Sequence, residues 1–230
     1  MMWKIGFALM LVLIISGCGT IENEEKQTPA AVSFSDSSKL ELINLDGISV
    51  FGDKVSNDLY TEIIVKNDMN EKKFSWSNVT NETYYPELMI DDINNDHKEE
   101  LIIILTKAYG TGFNQQEVHI LNKDNLSEFA IEDAEKYVKN NKKSSIDHVD
   151  GKVKVTLNIG EESFEKSYDE SIVEQWNEEI GFGNIIKYEV IDHKLIATLA
   201  GSISPVEYAL SVKLTYSDEL KIQSVMIEGQ

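Results

Sequence analysis

From Leu40 onward the apolar positions mostly alternate with polar ones, the period of a strand buried on one face. Leu40-Glu41-Leu42-Ile43-Asn44-Leu45 runs into Asp46-Gly47 and on to Ile48-Ser49-Val50-Phe51. An Asp-Gly pair between two such runs is a strong hairpin signal, because both central residues of the tight turn need positive φ. The same pattern predicts strands over 59–65, 73–76, 87–90, 101–106 and 117–121, and again over 152–159, 185–191, 194–199, 206–216 and 220–227. Two stretches change period. Residues 125–138 place Phe129, Ala130, Ala134, Tyr137 and Val138 near one helical face, with Ser127 or Asp124 as the cap. Residues 167–180 suggest a second helix around Ile172, Val173 and Trp176.

These elements predict an α+β fold of mostly antiparallel β-strands and hairpins with one or two short helices. No segment repeats at a period of 20–50 residues, which argues against a propeller or solenoid. The expected organisation is a β-rich region over 39–140 and a second, C-terminal β-rich region with a helix over 141–230, divided near 140–145.

The first residues follow another pattern. Lys4 precedes an apolar run from Ile5 to Ile15, and Ser16-Gly17 precede Cys18, the only cysteine. A short positive region, an apolar core and small residues before a cut are the parts of an export signal, here 1–17. The run is shorter than the roughly 20 apolar residues that span a bilayer. Ile15-Ser16-Gly17-Cys18 resembles the lipobox of bacterial lipoproteins, whose cysteine is lipidated and becomes the first residue. The resemblance implies that Cys18 carries the lipid and that the membrane is a partner, with the chain on the extracytoplasmic face of the cell membrane. A diacylglyceryl group supplies the two chains that stable anchoring needs. Residues 18–38 are polar and aperiodic and read as a tether.

Charge narrows the partners further. The formal net charge is −19, and −20 once Lys4 leaves with the signal. Such a surface repels nucleic acid and attracts cations or basic partners. The sequence has no arginine, so bidentate guanidinium clamps for phosphate or carboxylate are absent. With its single thiol assigned to lipid, it has neither a disulfide framework nor a thiolate metal site.

One segment carries recognisable chemistry. In Asp92-Ile93-Asn94-Asn95-Asp96-His97-Lys98-Glu99-Glu100, oxygen side chains stand at positions one, three, five and nine. Alternate residues of a tight loop converge, so Asp92, Asn94 and Asp96, the Lys98 carbonyl and Glu100 can offer a hard cation its oxygens. With the apolar runs on either side, the loop resembles the calcium loop of FG-GAP and VCBS repeats, across about 35 residues. That resemblance implies a structural Ca²⁺ site pinning a β-hairpin, and single copies of this kind occur in lipoproteins of Bacillus-like, Gram-positive bacteria. The family places glycine at the sixth position, where φ is positive; here it is His97, a costlier residue there. The competing reading is an acidic turn whose side chains bond their own backbone.

Other constellations are weaker. Gly110-Thr111-Gly112 leads to a strand instead of a helix, which a dinucleotide site would need, and reads as a turn. His97, His119, His148 and His193 have no metal-ligand spacing, and no nucleophile elbow occurs. Trp76, Tyr84, Tyr85, Tyr109 and Phe113 suit either a ligand platform or core packing, the commoner fate of large aromatics. Asn78-Val79-Thr80 and Asn81-Glu82-Thr83 match glycosylation sequons that carry no meaning in a bacterial context. The expected function is therefore non-catalytic: a membrane-anchored binding or interaction module of the cell envelope, with an envelope protein or wall polymer as partner. The alternatives are an envelope hydrolase acting on glycan or peptide, marked by two carboxylates across a cleft with one raised in pKa, and a solute-binding receptor.

Overall fold

A computed structural model describes residues 39–229. The signal, Cys18 and the tether lie outside the described residues. Among the described residues the chain folds as mostly antiparallel β-sheet with one short α-helix. Strands β1 (Leu40–Leu45), β2 (Ile48–Ser56), β3 (Leu59–Lys66), β4 (Glu71–Phe74) and β5 (Asn78–Val79) form the first sheet, in the order β1-β2-β3-β4 with β5 also on β3. Asp46 and Gly47 take φ of 48° and 80°, as the Asp-Gly turn requires.

The second sheet has seven strands. β6 (Glu87–Asp91), β7 (Glu100–Gly110) and β8 (Phe113–Asn122) come first in the chain. After the helix α1 (Ala134–Asn141) and three further strands, β12 (Ile185–Ile191), β13 (Lys194–Ser202), β14 (Tyr208–Tyr216) and β15 (Ile222–Gly229) complete it in the order β15-β14-β13-β12-β8-β7-β6. The third sheet is β11 (Glu162–Asp169), β10 (Lys152–Ile159) and β9 (Lys142–Val149).

β7 explains how the layers stack. Leu101, Ile103 and Leu105 join Val50, Ile63 and Val65 of the first sheet in one core. Ile102 and Ile104 point the other way, into a core shared with Val153, Val155 and Leu157 of β10 and with Ala134 and Val138 of α1. A strand covered on both faces must be apolar at every position, which is why 101–105 reads as a continuous run. The first and second sheets are also stitched by a polar residue. Past the last β6 pair, Glu87 with Ile104, the Thr106 N–H donates to Asn78 Oδ1 (2.7 Å), while Asn78 Nδ2 donates to Val79 O (2.8 Å) and Tyr84 O (2.9 Å).

The structure corrects both predicted helices. Only the end of 125–138 is helical. Leu126 takes φ of 57°, and the chain then runs extended beside β8, with Asn122 N–H donating to Ser127 O (2.8 Å) and Phe129 N–H to Ile120 O (2.9 Å). The cap is Asp133, whose Oδ1 accepts from Lys136 N–H (2.8 Å), and neither Ser127 nor Asp124. Sheet-edge hydrogen bonds outweigh a helical period that rested on a few aromatic and alanine positions. In 167–180, residues through Asp169 finish β11, which pairs with β10 over its whole length, and Glu170–Ile172 form a single 3₁₀ turn. The region near 140–145 holds the end of α1 and the start of β9.

Candidate functional site

Two places bring polar groups together. The first is the loop between β6 and β7. Asp92 Oδ1 accepts from Asp96 N–H (3.1 Å) and Oδ2 from His97 N–H (3.0 Å); Asn94 Oδ1 accepts from Asp96 N–H (2.9 Å); Asp96 Oδ1 accepts from Lys98 N–H (2.9 Å). Asn95 and His97 take φ of 58° and 68°, conformations that Asn and His tolerate better than most side chains. His97 thus adopts the backbone expected of the sixth position.

Glu100 differs from its neighbours. It opens β7 opposite Asn122, is 1 % exposed, and its Oε2 accepts from Ile93 N–H at 3.3 Å. Burial raises its pKa, with Asp96 and then Asp92 adding repulsion and the Ile93 N–H opposing. A buried carboxylate beside two others is costly unless a cation compensates it. Hard oxygen donors in this number suit Ca²⁺. As folded, Asp92, Asn94 and Asp96 are turned onto the loop's own backbone, and among the described residues no group of three or more His, Cys, Asp or Glu is arranged to hold a metal ion. The donor types and the buried Glu100 fit a calcium ion; the present side-chain directions are those of an acidic turn. Beside the loop, a hollow of about 500 Å³ is edged by Asp91, whose Oδ1 meets His193 Nδ1 at 2.6 Å.

The second place is a gap in the seven-stranded sheet. β12 pairs parallel with β8 only at Asn114 and Gln115, and residues 127–129 pair with β8 only near Ile120 to Asn122. Between them, from Gln116 to His119, no described strand lies beside this edge of β8. Gln116 partly bridges the opening, its Oε1 accepting from Tyr188 N–H of β12 at 2.9 Å. The remainder is a cleft of about 600 Å³.

Its walls mix charge with apolar surface. Glu117 and His119 share one face of β8, Glu128 comes from the extended segment, and Phe129, Ile186 and Tyr188 supply apolar area. His119 is fixed from behind by a stack of rings: its plane lies 3.7 Å from Trp76, which lies 3.8 Å from Phe74, centroid to centroid. That stack joins β4 of the first sheet to β8 of the second. His119 Nδ1 meets Glu128 Oε1 at 2.8 Å, while Nε2 is buried without a hydrogen-bond partner, 3.8 Å from Glu117 Oε2. His119 holds the Glu117 carboxyl at about 2, with Lys107 (2.9 Å) adding to the effect against the carboxyl's own burial.

The sequence singled out the loop and missed the cleft. The cleft's one local signal was Glu117 and His119 on the same face of a strand whose neighbours are apolar. The aromatics divide: Trp76 is core, while Tyr84 and Tyr109 stack on each other at the surface, 4.3 Å apart. Gly110-Thr111-Gly112 is the hairpin turn between β7 and β8, with Gly112 at φ of 67°. No family model, curated protein or solved structure matches the chain.

Proposed function

We propose that this chain is a lipid-anchored binding module of the cell envelope, held on the extracytoplasmic face through Cys18, with a structural calcium ion in the β6–β7 loop. Asp92, Asn94, Asp96, the Lys98 carbonyl and Glu100 would hold the ion, whose charge would offset three neighbouring carboxylates and stiffen the hairpin entering β7. The observation that carries the calcium assignment is Glu100, a carboxylate 1 % exposed beside Asp92 and Asp96. Ile15-Ser16-Gly17-Cys18 supports the anchor. The sheet gap supports a binding role over hydrolysis, because Glu117, the cleft carboxyl displaced in pKa, is lowered, opposite to the shift a general acid needs. An envelope protein or wall polymer remains the proposed partner class.

Metabolic labelling with an alkyne fatty acid tests the anchor. The wild-type chain should take up label and stay with the membrane fraction, and Cys18→Ala should do neither. Equal labelling of both would sink the lipoprotein reading.

A further inference from the structure

We infer that the tyrosine pair beside the β7–β8 hairpin tip binds an uncharged sugar chain, one pyranose ring lying on the exposed face of Tyr109. This rests on the binding-module reading and gives its wall-polymer partner a chemical class. Residues 100–106 of β7 are all buried, whereas Tyr109 near the end of the same strand is 42 % exposed. A large ring left at the surface is an interaction site more readily when it is held in place, and this one is held. It stacks on Tyr84, centroids 4.3 Å and planes 24° apart. Asn81 sets both rings. Its Nδ2 donates to the Tyr109 hydroxyl (3.0 Å), and its Oδ1 accepts from Thr83 N–H (3.0 Å), capping the 3₁₀ turn Glu82–Tyr84 that carries Tyr84. The hairpin tip is tied to β14 as well, where Tyr208 O–H donates to Gly112 O (2.6 Å). An aromatic surface fixed in advance gives up little conformational freedom when a ligand lands on it.

Charge selects the class of ligand. The chain is strongly acidic, yet residues 109–116 carry no charged side chain, and neither do 76–81. The 3₁₀ turn adds one charge, Glu82, which is exposed to water. An anionic polymer is repelled by the net charge of the whole molecule, and a basic segment finds few carboxylates here to hold it. An uncharged partner meets neither obstacle. Ring chemistry then selects a sugar. The face of a tyrosine ring is electron-rich, and the axial C–H bonds of a β-linked pyranose turn a weakly positive face toward it, while the sugar hydroxyls stay in water or meet polar neighbours. A lipid surface fits less well. The tip beyond Tyr109 is Gly110-Thr111-Gly112, which offers no apolar wedge, and an anionic leaflet repels so acidic a chain.

Calorimetric titration of the full chain in a sugar-free polyoxyethylene detergent tests this. The probes are cellohexaose and chitohexaose, which are neutral, polygalacturonate, which is anionic, and oligolysine, which is basic. At least one neutral probe should bind, with an affinity that does not change between about 0.05 and about 0.3 M salt. Tyr109→Phe keeps the ring and should retain that binding within about threefold. Tyr109→Leu keeps apolar area without an electron-rich face and should weaken it at least about fivefold, the scale of one lost aromatic contact. Because the position is exposed, both variants should melt with the wild type. Sugar binding that Tyr109→Leu leaves unchanged, or that falls with salt, would overturn the inference. Binding of a charged polymer alone would overturn it and leave the binding module standing; no binding by any probe would overturn both. In vesicles of phosphatidylcholine and phosphatidylglycerol, brominated lipid should quench Tyr109→Trp no more than the wild type, and extra quenching would assign the tip to the lipid surface and overturn the sugar.

Discussion

Asn78 offers the sharpest test of how the layers are joined. It is fully buried, and its side chain satisfies three main-chain groups: it accepts from Thr106 N–H and donates to the carbonyls of Val79 and Tyr84. Its own strand pairs with Tyr60 of β3, so the residue fastens the first sheet to β7. In Asn78→Ala the Thr106 N–H and two carbonyls stay buried without this partner. An orphaned buried group costs about 1–3 kcal/mol, and with carbonyls partly relaxing the sum is about 4 kcal/mol. For a domain of this size each kcal/mol moves Tm by about 2–4 °C, so a fall of about 12 °C is expected by calorimetry or circular dichroism. Asn78→Asp should be as damaging at pH 7, since an ionised carboxylate then faces two carbonyl oxygens, and should recover in part as acid restores a donor. If Asn78→Ala melts within about 3 °C of wild type, these hydrogen bonds do not hold the sheets together, and the reasoning fails. The same burial makes the Asn78 sequon inaccessible in the folded chain.

Three further outcomes follow from local geometry. Gly52→Ala would set a Cβ 2.5 Å from the Tyr60 ring, which is itself buried, so overpacking should cost about 1–3 kcal/mol in a denaturant melt. Tyr216→Phe removes the hydroxyl that donates to Glu132 O (2.9 Å) and should cost about 1 kcal/mol while leaving the fold intact by near-ultraviolet dichroism. Glu117 has a folded pKa near 2 against an ordinary 4.5, so its contribution to stability is full above about 4.5 and is lost as pH falls through 2. A Tm–pH series of Glu117→Gln should accordingly show a shallower acid limb over that window, and parallel limbs would contradict the pairing with His119 and Lys107.

Strand positions were legible because most strands alternate and their turns are marked: Asp150 and Gly151, like Asp46 and Gly47, take the positive φ that such pairs announce. β9 and β11 were not legible. Lys142–Val149 and Glu162–Asp169 are edge strands of a three-stranded sheet and largely polar, so their place depends on β10 between them. The extended run from Ser127 to Phe129 was hidden for a similar reason, since only β8 makes it a strand. The acidic loop could be read because all its groups lie within nine consecutive residues. The cleft draws on β8, the segment before α1, and β12, some seventy residues apart in the chain, and exists only because two strand pairings stop short of each other. Spacing along a sequence cannot express that.

The calcium ion in the β6–β7 loop is the central claim, and a thermal melt of residues 19–230 tests it most directly. The conditions are about 10 mM Ca²⁺ against EDTA, with Asp96→Ala and Glu100→Gln alongside. Extracellular loops of this kind bind at about 10⁻⁴–10⁻³ M, so a native-state site should gain about 1.4–2.7 kcal/mol. That corresponds to a rise of about 3–11 °C for the wild type, absent in both variants. In EDTA, Glu100→Gln should melt no lower than wild type, because it removes a buried charge that nothing then compensates. Superimposable wild-type melts with and without calcium would reduce the loop to an acidic turn and contradict the account.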